Sequence, residues 1–121
     1  MTNRQKAKGD RAERELAKLL TIALGIPIRR MLGAGRIDDV GDLDGIDDTA
    51  IQVKHLNSIA TAINVGIPQL VRQQHHKRAA HGVLFIKHRR HGWLAVTTLE
   101  QWSANELNRL KPLPHKAQKN P

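Results

Sequence analysis

Cysteine and tyrosine are missing from all 121 residues, and the aromatic side chains are only Phe85, Trp93 and Trp102. Without thiols there is neither a disulfide frame nor a thiolate zinc site, a composition that suits a reducing interior. Three rings are too few for a platform on which successive single-stranded bases stack, so that mode of binding is disfavoured. Long apolar runs are missing too, since none approaches the roughly 18 residues of a membrane span. The opening Thr2-Asn3-Arg4-Gln5-Lys6 is polar and leads straight into a helical pattern, unlike a secretory leader. The expectation is a cytoplasmic protein with no membrane partner.

Acids are scarce as well. Lys and Arg number 20 against 11 Asp and Glu, a net charge of +9, and seven histidines add to it in mild acid. Such an excess fits a polyanionic partner, most often nucleic acid. Six of the 11 acids fall between Asp38 and Asp48. An acidic knot in a basic protein is what a metal site set in a phosphate-binding surface requires. The length suits one domain with one core. Residues 1–110 are expected to form it, with 111–121 a basic disordered tail.

From Asp10 to Leu24 the residues Ala12, Leu16, Leu19, Leu20, Ala23 and Leu24 recur with helical spacing, and Gly25 with Pro27 ends the pattern. Ile26 to Met31 is predicted as a short strand and Leu32 to Arg36 as a loop. A second strand is expected over Asp39 to Asp44, turning through Gly45-Ile46-Asp47-Asp48 into a third, Thr49 to Leu56. In that third strand Ile51, Val53 and His55 face one side, and Gln52, Lys54 and Leu56 the other. Pro68 suits the first turn of a helix running to about Ala80, and residues 57–65 before it carry no clear pattern. Val83 to Ile86 reads as a strand buried on both faces and Trp93 to Val96 as its return. Thr97 or Thr98 caps a last helix. The order αβββαββα describes an α/β domain with a mixed sheet flanked by helices.

The chemistry-bearing residues lie around the acidic knot. Asp42 stands ten residues before Gln52, across a short hairpin, with Lys54 on the same strand face. A carboxylate, an oxygen donor and a lysine in this order suit metal-assisted phosphodiester hydrolysis. Asp38, Asp39, Asp44 and Asp47 lie within five residues of Asp42, so position alone does not single it out; a solvated Asp-Gly turn is the plain alternative. A calcium loop is excluded, because Ile46 and Asp47 stand where an oxygen donor and a glycine are needed. Lys54 is otherwise an ordinary edge lysine. Gln52 offers an amide where a glutamate would give a cation a full charge, so a further carboxylate is needed. Glu13, edging the apolar stripe of the first helix, is the candidate; its alternative is a surface acid paired with Lys18 or a nearby arginine. His75-His76 is a poor zinc pair, since adjacent helical residues diverge. Gly33-x-Gly35 lacks the rest of a phosphate-loop fingerprint, so no nucleotide cofactor is expected. Three basic clusters, carrying Lys6 and Lys8, Lys77 and Arg78, and Arg89 and Arg90, fit contact with a phosphate backbone.

Taken together, these residues resemble the archaeal-type Holliday junction resolvases of the PD-(D/E)XK nuclease superfamily, and similar small phage proteins. The likeness runs through Lys8-Gly9-Asp10-Arg11-Ala12-Glu13-Arg14-Glu15-Leu16, the Arg30–Arg36 segment, Asp42, Ile51-Gln52-Val53-Lys54, Gly82–Ile86 and Gly92-Trp93, roughly the first hundred residues. It implies a restriction-endonuclease-like fold with Glu13, Asp42, Gln52 and Lys54 as the catalytic set. It also implies Mg²⁺, with Mn²⁺ as a substitute, held by Glu13, Asp42, Gln52 and the backbone carbonyl of Val53. Arg30 and Arg36 join the residues expected on DNA. The resemblance further implies a homodimer acting on branched DNA, in the host cytoplasm if a phage encodes it. Gln52 departs from the acid of the family pattern. Two other readings follow from the residues: a nuclease of this fold acting on other DNA, or a DNA-binding protein whose site has degenerated.

Overall fold

The computed structural model of the chain describes residues 3–31 and 41–110. Helix α1 spans Asn3–Leu24, beginning seven residues before the apolar repeat. Its buried stripe is Ala12, Leu16 and Ala17. It stops at Gly25, whose positive φ of 72° lets its N–H return to the Thr21 carbonyl at 2.9 Å. The Thr21 hydroxyl then accepts from Ile28 N at 2.9 Å, fixing the exit from the helix.

Five strands follow in one mixed sheet of order β1-β2-β3-β4-β5. They are β1 (Arg29–Arg30), β2 (Leu43–Asp44), β3 (Thr49–Lys54), β4 (His81–His88) and β5 (Gly92–Val96). Every neighbouring pair is antiparallel except β3 and β4, which run parallel across the α2 crossover. The first two strands are shorter than predicted. Residues 39 and 40 of the predicted second strand lie outside the described residues, as do Arg36, Asp38, Asp39 and the tail from 111.

Alternation along β3 divides the core in two. Ile51 and Val53 pack with Ala12, Leu16, Ile28 and Leu43 beneath α1. Ala50 joins Ala62, Leu70, Leu84 and Ile86 beneath α2 on the opposite face. Strand β4 is covered on both sides, though unequally: Leu84 and Ile86 are sealed by α2, while Val83 and Phe85 are partly buried towards α1.

Helix α2 corrects the expected start at Pro68. It spans Ile59–Lys77, capped by the Ser58 hydroxyl accepting from Thr61 N, with Pro68 in its interior. The proline cannot donate a helical hydrogen bond, but it sits on the exposed side, where water can reach the carbonyl it leaves behind. Burial of Ala62, Gly66, Leu70 and Gln73 holds the helix together across it. Gly66 permits the close approach, since a Cβ there would lie 2.8 Å from both Leu84 methyls.

The last helix, α3 (Leu99–Leu110), is capped by the Thr98 hydroxyl accepting from Gln101 N at 3.0 Å. It buries no residue. Among the described residues no helix is long and apolar enough to cross a membrane.

Candidate functional site

The carboxyl end of β3 opens into a cavity of about 730 Å³ whose walls include Glu13, Asp42, Gln52, Val53 and Lys54. The edge of a parallel strand pair, beyond its carboxyl ends, is where open α/β sheets bind ligands.

Asp42 is fixed from three directions. Its N–H donates to the Ile51 carbonyl at 2.8 Å, and its own carbonyl accepts from Met31 N at 2.8 Å. Its Oδ2 accepts from Val53 N at 2.9 Å, which ties the carboxylate to β3. Gly41 makes this crossing possible. Its φ is +116°, and a Cβ would stand 3.1 Å from the Ile51 carbonyl oxygen. Asp44, two residues on, is turned elsewhere: it is exposed and pairs with Lys77 Nζ at 3.0 Å. Of these two acids only Asp42 lines the cavity.

Glu13 enters from α1. Its Oε1 accepts from Arg30 Nε at 3.1 Å, while Arg30 Nη2 donates to Asp10 Oδ1 at 2.9 Å. Lys6 Nζ closes the group by donating to Asp10 Oδ2 at 3.0 Å. Burial raises the pKa of Glu13 above its ordinary range, and the opposing pull of Arg30 is the smaller effect. Asp10 moves the other way, held down chiefly by its hydrogen bond from Lys6.

Gln52 is almost wholly buried, and both ends of its amide are bound by α2. Its Nε2 donates to Gln69 Oε1 at 2.9 Å, and its Oε1 accepts from Gln73 Nε2. Lys54, one step along the same strand face, is half-buried and lines the cavity.

A second cavity of about 650 Å³ adjoins the first and shares Lys8, His55, Leu56 and Asn57 with it. Lys87, Arg89 and Arg90 make its remaining charged wall. His55 is depressed by burial first and then by Lys8 and Lys87, which favours its neutral form. Lys87 is steadied by Glu15 at 2.7 Å, whose other oxygen accepts from Trp93 Nε1 at 2.9 Å.

The basic residues expected on DNA therefore divide. Lys6, Lys8, Arg89 and Arg90 border these two cavities. Arg30 is at the site but is engaged with two acids. Lys77 donates to the Thr49 carbonyl at the opposite end of β3, about 16 Å from Lys54 for a strand of this length. Arg78 lines a separate groove between α2 and α3. Sequence reasoning passed over Asp10, His55, Gln69 and Gln73. Asp10 was legible as an acid one helical turn before Glu13. The two glutamines, four apart, already shared a face of the predicted helix, but only the packing of that helix on β3 shows that they meet Gln52.

Among the described residues no group of three or more His, Asp or Glu side chains is placed to hold a metal ion. The walls do offer three carboxylates, Asp10, Glu13 and Asp42, of which Asp10 is paired with both Lys6 and Arg30, leaving Glu13 and Asp42 as the oxygen donors for a cation. A hard cation such as Mg²⁺ keeps several waters and asks for one or two carboxylates, so the donor chemistry fits it. Comparison of the chain with protein-family models, with curated proteins and with solved structures gives no match in any of the three.

Proposed function

We propose that the chain is a Mg²⁺-dependent, structure-selective endodeoxyribonuclease of restriction-endonuclease-like fold, whose substrate is a four-way DNA junction. The observation that carries this reading is the meeting of Glu13, Asp42, Gln52 and Lys54 at one cavity, continuous with a basic one. Glu13, Asp42 and the Val53 carbonyl would hold Mg²⁺, or Mn²⁺ in its place. When bound, the cation supplies charge stabilisation for the phosphoryl centre and its leaving oxygen. Lys54 orients the attacking water and offsets negative charge gathering on the phosphate. The new oxygen–phosphorus bond forms as the bond to the 3′ oxygen breaks, and the water's proton leaves to solvent or the 3′ oxygen. Lys8, Arg89 and Arg90 would hold the backbone beyond the scissile position.

Paired cuts across a junction require two sites related by a two-fold axis, hence a homodimer. Support for a partner comes from α3, which turns Leu99, Trp102, Leu107 and Leu110 towards solvent. A second reading, a DNA-binding protein with a degenerate site, is favoured by one observation: the Gln52 amide is committed to α2 at both ends. Incubation with synthetic four-way, flap and linear DNA, with and without Mg²⁺, separates the readings. Cation-dependent cutting selective for the junction is expected. Preference for another DNA transfers the activity to it, and binding without cutting at any metal concentration leaves the degenerate reading.

A further inference from the structure

Three glutamines line the cavity, and their hydrogen bonds run in one direction, from the buried Gln73 to the part-exposed Gln69. Gln73, 1 % exposed, donates to the Gln52 oxygen, and Gln52, 3 % exposed, donates to the Gln69 oxygen. Gln69 is the member of the chain with partial exposure, and it lines the cavity with Glu13, Asp42 and Lys54. A primary amide has one acceptor oxygen and a two-hydrogen donor. With its oxygen turned inward to Gln52, Gln69 presents its amino group outward. Reversal of one member alone would set oxygen against oxygen or N–H against N–H, so the three amides share one polarity, and as they stand it leaves the Gln69 amino group at the open end.

We infer that Gln52 is a positioning residue and that Gln69 is the group it positions, an amide donor to a non-bridging oxygen of a DNA phosphate in the cavity. An uncharged donor suits this place. An amide donates to a phosphate oxygen without adding a further charge to a cavity that already holds Glu13, Asp42 and Lys54. The departure at Gln52 from the acid of the nuclease pattern then has a physical reason: a carboxylate has no N–H to donate, so it would turn the Gln69 amino group inward. The inference deepens the nuclease reading and rests on it only in taking the phosphate to be that of DNA.

The test is binding of a labelled four-way junction by the full chain in EDTA, where no cleavage occurs, using Gln69→Leu, Gln52→Leu and the double variant. Gln69→Leu, at a part-exposed position outside the core, is expected to weaken binding about tenfold, the usual scale of a hydrogen bond to a charged group. Gln52→Leu is expected to weaken it to a similar degree, and the double variant no further than either alone. In ¹⁵N spectra, the Gln69 side-chain amide, identified by its loss in Gln69→Leu, should shift when a short DNA duplex is added. Wild-type affinity in Gln69→Leu, or losses that simply add, overturns the inference. Should Gln52→Leu unfold, Gln69→Leu and the amide spectrum decide alone. A wild-type chain that never cuts with Mg²⁺ but shows this binding pattern sinks the nuclease reading and keeps the relay. One that cuts while Gln69→Leu binds normally does the reverse.

Discussion

Helices α1 and α3 are built from opposite arrangements of the same residue types. On α1, Ala12, Leu16 and Ala17 go into the core while Asp10 and Glu13 stand at the edge, half-buried beside Arg30. On α3 the polar residues face the sheet. Asn105 Nδ2 donates to the Gly82 carbonyl at 3.2 Å, its Oδ1 meets His81 Nδ1 at 2.9 Å, and Gln101 reaches the Ala80 carbonyl. The apolar residues point away, with Leu99 79 % and Leu107 69 % exposed. Apolar burial holds α1 to the fold, and side-chain amides hold α3. A helix fastened by burial can carry charged groups at a fixed edge, because its rotation is set by the core. A helix fastened by amides keeps its apolar side for something else.

That contrast is open to attack by mutation. The largest effect is expected at the α1 cavity: Asp42→Asn should lower Mg²⁺-dependent junction cleavage by at least about a hundredfold, with junction binding retained. Cutting at the wild-type rate would remove Asp42 from the site. Next, equal truncations on the two helices should behave unequally. Leu16→Ala should destabilise the fold by about 2–5 kcal/mol in urea titrations, whereas Leu107→Ala should stay within about 0.5 kcal/mol. Leu107→Ala or Trp102→Glu should instead weaken self-association measured by light scattering. Equal destabilisation by Leu16→Ala and Leu107→Ala would mean that α3 is buried in the folded chain after all.

A smaller effect concerns pH. Glu13 must be ionised to hold a cation, and burial has raised it above its ordinary value of 4.5. Cleavage at limiting Mg²⁺ should therefore fall as pH drops through that raised value, at a higher pH than an unperturbed carboxylate would give. Arg30→Gln removes the cation favouring the charged form, and should move the fall higher still. Its effect on stability has the same origin: protonated Glu13 favours the folded state, so its contribution weakens as pH rises through the raised value. Glu15, depressed first by its bond from Lys87 and then by Trp93, acts oppositely, contributing above 4.5 and losing that contribution in acid. The smallest effect is expected at the second cavity. Arg89→Gln with Arg90→Gln should flatten the plot of log binding constant against log salt by about 0.9 for each DNA phosphate these arginines neutralise. An unchanged slope would remove these residues from the DNA track.

Short-range signals in the sequence were sufficient where the physics is local. The existence of α1, the Gly25 stop, the alternation of Ile51 and Val53 against Gln52 and Lys54, and a threonine cap before α3 each depend on neighbours a few residues away. The buried face of α1 does not: Leu19, Ala23 and Leu24 of the expected stripe are exposed, and Ala17 is buried instead. Start signals failed at α2 because Pro68 is a strong local mark, while burial of Ala62, Gly66 and Leu70 against a distant strand outweighs it. The site was legible as a set of residues but not as an arrangement. Nothing local tells Asp42 from Asp44, and it is the Val53 N–H on one side and the Lys77 ammonium on the other that separate them.

Composition and periodicity by themselves determined a basic, thiol-free α/β chain with its elements in the order αβββαββα, because charge and helical or strand spacing are properties of the residues in line. Only the tertiary structure decided that Arg30 is spent on Asp10 and Glu13, that Lys77 and Arg78 lie at the far end of the sheet, and that Gln52 belongs to a glutamine chain. Those outcomes depend on which strands pair and which helix covers them, and pairing brings together residues tens of positions apart that no local pattern connects.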